Sequence, residues 1–120
     1  MRLQESGEMY LETIMILSQK LANVRAIDIG EALGYSKPSV SRGLKILREN
    51  SYVVIDRNGY VTLSKTGKEV AEKIYERHQV LSEALIQLGV DPQIAIEDAC
   101  RMEHVISDTS LEAIKRFLDK

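Results

Sequence analysis

Three side chains that can bind a transition metal lie within a five-residue stretch of the sequence: Cys100, Glu103 and His104. Offsets of three and four residues place all three on one face of a helix, so a thiolate, a carboxylate and an imidazole would point the same way. The whole chain contains 1 cysteine and 2 histidines, and ordinary helix composition gives little reason for one of each to fall here. Such a borderline-soft set of donors suits Fe(II), Co(II) or Ni(II) better than Mn(II).

Two other interpretations of these residues stay open at this point. Cys100 can be a small buried apolar residue, with Glu103 and His104 forming a solvated pair. Cys100 can instead be an enzyme nucleophile with His104 as its base. However, both would lie on one helix, and no oxyanion donor or glycine-rich substrate loop is evident near them. We therefore expect that the chain is not an enzyme, while the metal-binding interpretation and the buried apolar interpretation of Cys100 both stay open on spacing alone.

The elements that must position this cluster are mainly helical. Hydrophobic periodicity and capping residues predict helices over about 6–21, 26–33, 37–50, 64–88 and 92–106, with a short last helix from Ser107 or Asp108. Asp91-Pro92 supplies the N-cap and the first residue of the helix that contains the cluster. Gly34 suits the left-handed residue that ends the second helix. The second and third helices, joined by a short turn, predict a helix-turn-helix.

A β-hairpin is predicted directly after the third helix. The β-branched and aromatic runs Tyr52–Ile55 and Tyr60–Leu63 flank Asn58-Gly59, which is a strong hairpin turn. This hairpin would be the wing of a winged helix. The predicted fold class is therefore mainly α with a small β-hairpin: a winged helix-turn-helix DNA-binding domain over 1–64, then a helical metal-binding and dimerisation domain over 65–120.

Charge is unevenly distributed along the chain. Residues 37–68 contain seven basic and two acidic side chains, whereas residues 69–120 contain eleven acidic and six basic ones. This distribution favours a chain that presents one part to a polyanion. It disfavours the alternative that the winged helix is a protein-interaction module, and the motifs around the third helix disfavour a merely solvated basic helix.

Arg42 is the predicted base-reading residue of the third helix, because its planar guanidinium can bond guanine O6 and N7 together. Contacts with phosphates, which position the protein without specifying sequence, are predicted for Lys37, Lys45, Arg57 and Lys65. The full set of predicted DNA-contacting residues is Ser36, Lys37, Pro38, Ser39, Ser41, Arg42, Lys45 and Arg57.

The cellular setting predicted from the sequence is the cytoplasm. One cysteine cannot form an internal disulfide, and the N-terminal residues lack the apolar run of a signal peptide. No hydrophobic stretch approaches the length needed to span a membrane, so no membrane partner is expected.

The sequence resembles the metal-dependent repressors named after the diphtheria toxin repressor, a family whose second branch senses manganese. The resemblance covers nearly all 120 residues. It rests on four features: Glu8-Met9-Tyr10-Leu11, the helix-turn-helix with its wing, Arg77-His78, and the run from Asp98 to Asp108. The resemblance implies an iron-type primary metal site formed by Met9, Cys100, Glu103 and His104.

The resemblance leaves the metal open between the two branches. Met9 and Cys100 stand where the manganese branch has carboxylates, and so they favour iron. Glu12 and His78 match positions that bind metal in the manganese branch. The iron-type ancillary site is doubtful, because Ser82 and Ile96 replace an expected glutamate and histidine. We hypothesise a composite second site formed by Glu12, His78 and Glu103.

The function implied by the resemblance is repression by metal-loaded dimers. We expect a homodimer that binds an inverted-repeat, double-stranded operator when it is loaded with a divalent transition metal, with Fe(II) favoured. A manganese-responsive repressor of the same family is the first alternative. The second is a winged-helix regulator that does not depend on metal.

Overall fold

The computed structural model describes residues 5–120, so the first four residues of the predicted DNA-binding domain lie outside the described residues. Within that range the chain forms six helices and one two-stranded antiparallel sheet, which confirms the predicted fold class. The elements are α1 Glu5–Lys20, α2 Ala26–Leu33, α3 Lys37–Glu49, β1 Val53–Ile55, β2 Val61–Leu63, α4 Lys65–Gln87, α5 Pro92–Met102 and α6 Asp108–Leu118. The chain divides after Glu72 into two compact units, the N-terminal unit and the C-terminal unit, and the boundary falls within α4.

The N-terminal unit is built around one apolar core shared by α1, α2, α3 and the hairpin. Its most deeply buried side chains include Leu11, Ile14, Ile29, Val40, Leu47 and Val61. The helix-turn-helix forms where it was predicted. Gly34 ends α2 in the left-handed conformation at φ 72°, a region that glycine enters without a steric cost. Ser36 then caps α3, because its side chain accepts a hydrogen bond from Ser39 N at 3.3 Å.

The wing is a short hairpin with an ordered turn. Val54 pairs with Thr62 in the antiparallel ladder. Asp56 Oδ1 accepts hydrogen bonds from Asn58 N at 2.8 Å and from Tyr60 N at 2.9 Å, and Gly59 has φ 81°. Both strands begin one residue later than predicted. Tyr60 forms an isolated antiparallel bridge with Arg25, and Tyr52 O accepts a hydrogen bond from Ser64 N.

Gly67, in the first turn of α4, packs against the backbone that leads into the wing. A Cβ atom at this position would lie 2.0 Å from Tyr52 O. No side chain fits such a distance without a backbone shift, so only glycine allows this close approach. The side chain of Ser64 adds to the same junction by donating to Ser51 O at 2.6 Å.

The C-terminal unit contains the second half of α4 together with α5 and α6. Leu81, Ala99 and Leu111, one from each helix, form its buried apolar core. Asp91 caps α5 by accepting hydrogen bonds from Gln93 N and Ile94 N, and Pro92 occupies its first turn, as predicted.

The predicted extent of α5 is wrong at its C-terminal end. The helix stops at Met102, four residues before the predicted end at 106, and the chain turns there. Arg77 of α4 stabilises this turn because its Nη1 donates to Glu103 O at 3.1 Å and to Ile106 O at 2.9 Å. Its Nη2 also donates to Asp108 Oδ1, and this hydrogen bond, with the nearby Lys73, lowers the pKa of the Asp108 carboxyl group.

None of the helices formed by residues 5–120 combines the length and the apolar character needed to cross a membrane.

Candidate metal centre and nucleic-acid interface

The C-terminal unit brings together His78, Glu103 and His104. The side chain of Glu103 is 0% exposed. Its Oε2 lies 3.0 Å from His78 Nδ1, and its Oε1 lies 3.3 Å from His104 Nε2. The carboxylate therefore faces one imidazole nitrogen with each of its oxygens, one from α4 and one from the turn after α5.

This donor set fits a divalent transition metal. Burial of a carboxylate is costly unless a cation or hydrogen-bond donors compensate its charge. Imidazole nitrogens and carboxylate oxygens are ordinary ligands for such ions, and the His104 side chain is also 0% exposed. A cation bound by these groups would offset the charge of Glu103.

Cys100 lies on the last turn of α5 and is partly buried. The prediction that Cys100, Glu103 and His104 share one helix requires a correction. Glu103 is the C-cap of α5 and keeps helical angles (φ −59°, ψ −25°), so its offset from Cys100 remains that of a helix. His104 belongs to the turn that follows, because α5 ends at Met102 and Arg77 binds the carbonyl groups of the turn.

Met9 and Glu12 lie in the N-terminal unit, one turn apart on α1. Glu12 is 8% exposed, which is unusual for a carboxylate and typical of one with a specific partner. Met9 is partly buried, and its Sδ accepts a hydrogen bond from Tyr35 Oη at 3.6 Å. Metal binding by these two residues stays a prediction.

Tyr10 and Tyr35 form an aromatic pair that sequence reasoning missed. Their ring centroids are 5.9 Å apart with an interplanar angle of 74°. Tyr10 Oη donates to Ser39 O at 3.4 Å, and burial raises the pKa of its hydroxyl group. A Cβ atom on Gly43 would lie 2.6 Å from Tyr10 Cε2, so α3 packs directly on this ring. The available clue was an aromatic residue immediately before the N-cap Ser36.

The predicted DNA-contacting residues lie mostly on the surface of the N-terminal unit. All are exposed except Ser39, which is partly buried: Ser36, Lys37, Pro38, Ser41, Arg42 and Lys45 on or beside α3, and Arg57 on the wing. Arg42 Nη2 lies 3.4 Å from Ser39 Oγ, which in turn accepts from Ser36 Oγ at 2.9 Å. Two separate elements of this unit thus expose basic groups that can meet phosphates.

Two family models match the chain. The model described as "Iron dependent repressor, N-terminal DNA binding domain" matches residues 2–69. The model described as "Iron dependent repressor, metal binding and dimerisation domain" matches residues 64–120.

Relatives and solved structures agree with these matches. The transcriptional regulator MntR of Escherichia coli is 35% identical over 111 residues, which cover 92% of this chain and 72% of the relative. An uncharacterised HTH-type transcriptional regulator of Methanocaldococcus jannaschii is 31% identical over 120 residues, covering 98% of this chain and 96% of the relative. The structure of the manganese regulator SloR has a TM-score of 0.84 at 28% identity and covers 99% of this chain.

The chain spans 55% of the length of the SloR structure, or about half of it. The matched families and relatives are transcriptional regulators, which confirms the prediction that this chain is not an enzyme.

Proposed function

The chain belongs to the iron-dependent repressor family, which is the DtxR/MntR family that its sequence resembles. We therefore propose that it is a metal-dependent transcriptional repressor that binds operator DNA. The observation that supports metal dependence most directly is the fully buried Glu103 carboxylate between His78 and His104. The exposed basic residues of α3 and the wing support the DNA-binding part of the proposal.

We propose Met9, Cys100, Glu103 and His104 as the primary metal ligands and Fe(II) as the favoured metal. A thiolate and a thioether favour softer ions than Mn(II), and this is the physical basis for the choice of iron. A second proposed site uses Glu12, His78 and Glu103. A stoichiometry of one metal per chain would contradict this second site.

Mn(II) is the alternative metal, and the names of the relatives favour it. SloR is a manganese regulator, and the relative in Escherichia coli is named MntR. Two oxygen donors on this chain, Glu12 and Glu103, also suit the harder ion.

The proposed mechanism is thermodynamic linkage between metal and DNA. A metal acts as co-repressor only if it binds the DNA-binding arrangement of the chain more tightly than the other arrangement. Moving a population from mostly inactive to mostly active requires about 5 kcal/mol of such preference. The bound metal would act only by coordinating its ligands, and it would catalyse no reaction.

The proposed assembly is a cytoplasmic homodimer. A two-fold dimer places two recognition helices about 34 Å apart, one helical turn of DNA, and this predicts an inverted-repeat operator. The two family matches overlap at residues 64–69. This overlap supports the proposal that DNA binding and metal binding with dimerisation belong to separate domains that meet near the predicted boundary at 64/65.

The experiment that tests the proposed function is anaerobic DNA binding followed by fluorescence anisotropy on an inverted-repeat promoter fragment. Fe(II) and Mn(II) are titrated separately against metal-free protein, and oxygen is excluded because it can oxidise Cys100. Binding that requires metal supports the proposal, and a lower midpoint for Fe(II) than for Mn(II) supports the iron site. Equal binding without metal would leave a winged-helix regulator that does not depend on metal.

Replacing Cys100 with alanine is expected to weaken Fe(II) binding by about 100-fold, because a thiolate ligand is lost. The effect on Mn(II), which has little preference for sulfur, should be smaller. Affinity is measured by anaerobic competition with a chelator. Arg101→Ala is the control, because Arg101 is an exposed residue on the same helix. A full metal response in the Cys100 variant would remove this residue from the site.

Replacing Arg42 with alanine is expected to relax base preference at one operator position by about 1–3 kcal/mol and to leave metal binding unchanged. Lys45→Ala, at an exposed position, is the matched comparison. Loss of a phosphate contact weakens binding to all DNA sequences alike, and it lowers the slope of log affinity against log salt concentration by about 1. Binding to a panel of single-base operator variants distinguishes the two. Unchanged selectivity in the Arg42 variant would exclude it from readout.

A further inference from the structure

We infer that Tyr35 is a positioning residue that holds the Met9 thioether for the metal and connects it to the recognition helix α3. The inference rests on the proposed role of Met9 as a ligand. It assigns a role to a residue of the helix-turn-helix turn that neither the DNA-contacting set nor the metal-binding set includes.

The Tyr35 and Met9 side chains are joined by a hydrogen bond. Tyr35 Oη donates to Met9 Sδ at 3.6 Å, a normal separation for sulfur as acceptor. Methionine is unbranched and has three rotatable bonds, so a free side chain loses several rotamers when its sulfur binds a metal. A hydrogen bond to one sulfur lone pair restricts those rotamers beforehand and leaves the other lone pair available.

Backbone hydrogen bonds anchor Tyr35 itself. Its backbone N donates to Gly30 O at 3.0 Å, and Gly34 N donates to the same oxygen at 2.8 Å. The residue thus sits between the left-handed Gly34 and the N-cap Ser36, at a backbone position fixed by both helices. A tyrosine held in this way can restrict a neighbour even though its side chain is partly solvent-exposed.

Tyr35 is connected to α3 through the ring of Tyr10. The Tyr35 ring meets the Tyr10 ring edge-on, with centroids 5.9 Å apart. Tyr10 donates to Ser39 O, and its ring occupies the space that a side chain at position 43 would need. Packed contacts therefore run without interruption from the proposed ligand Met9 to the first two turns of the recognition helix.

The chemical consequence concerns metal preference. A thioether contributes more to binding of Fe(II) or Co(II) than to binding of Mn(II), which prefers oxygen donors. A residue that holds the sulfur in place should therefore favour the softer ions. Because Tyr35 is 39% exposed and its hydrogen bond to Met9 is open to solvent, the loss of this bond should weaken binding several-fold and not abolish it.

Tyr35→Phe tests the inference, since it removes the hydroxyl group and keeps the ring against Tyr10. We expect Fe(II) and Co(II) to bind about fivefold more weakly and Mn(II) to change by less than about twofold. Affinities are measured anaerobically by chelator competition on the full chain, together with the Co(II) absorption spectrum and the thermal midpoint. Tyr60→Phe, on the wing, is the matched control.

The same change is also made in a Met9→Leu background, where we expect no further loss. Fe(II) and Co(II) affinities that stay at the wild-type level in Tyr35→Phe would overturn the inference and leave the proposed function intact. Equal losses for all three metals, or a loss that persists without Met9, would also overturn it by showing a general structural effect. Absence of metal-dependent DNA binding in the wild type would instead overturn the proposed function.

Discussion

Replacing Glu103 with glutamine is expected to abolish metal-dependent DNA binding. The side chain keeps its volume and can still bond the neighbouring imidazoles, but it loses the negative charge that a cation needs at a fully buried position. We expect metal affinity to fall by at least about 100-fold, since Glu103 is proposed as a ligand of both sites. Chelator competition and anisotropy on the operator measure the two effects.

The metal-free Glu103→Gln protein should remain folded, because glutamine keeps the volume of the side chain and can still form hydrogen bonds with the two imidazoles. Glu97→Gln is the matched control, because Glu97 is an exposed carboxylate on α5, the helix that Glu103 caps, and accepts a hydrogen bond from Gln93. Retention of wild-type metal affinity by the Glu103 variant would contradict the proposed centre.

Replacing Gly67 with alanine is expected to have the largest effect on stability. The new Cβ atom would lie 2.0 Å from Tyr52 O, so α4 or the chain leading into the wing must move. We expect a loss of about 2–4 kcal/mol, only partly offset by the better helix propensity of alanine. The N-terminal unit should melt several degrees lower, as followed by circular dichroism.

Lys68→Ala provides the control for this change. Lys68 is the next residue along α4 and its side chain is exposed, so truncation should alter stability by no more than about 0.5 kcal/mol. If the Gly67 variant proved as stable as this control, the close approach of α4 to Tyr52 would not exist in solution.

Sequence patterns predicted the fold well where the determinants are local. The bounds of α2 agree to the residue, because Gly34 ends the helix within the same short segment. Periodicity failed at the end of α5, since helical spacing continues through residues 103–106 in a segment that forms a turn, where Arg77 bonds the carbonyl groups of Glu103 and Ile106. That arginine lies 26 residues away from Glu103 in sequence, beyond the reach of a local pattern.

The candidate site follows the same rule. Spacing alone grouped Cys100, Glu103 and His104, and the resemblance added His78, which the structure places against Glu103. Neither approach found the contact of Tyr35 with Met9, because it joins residues 26 positions apart through a turn and a weak sulfur acceptor. The need for glycine at position 43 could not be predicted for a similar reason, since it arises from the packing of α3 on the Tyr10 ring.

The turn of the wing has a consequence for the entropy of DNA binding. Asp56 accepts two backbone hydrogen bonds across the tip, so the segment that presents Arg57 is already ordered in the free protein. A disordered tip would lose about 1–2 kcal/mol per residue in conformational entropy when it settled against a phosphate. Here the backbone of the tip is ordered during folding, so the predicted contact of Arg57 with a phosphate would lose only the entropy of the arginine side chain itself.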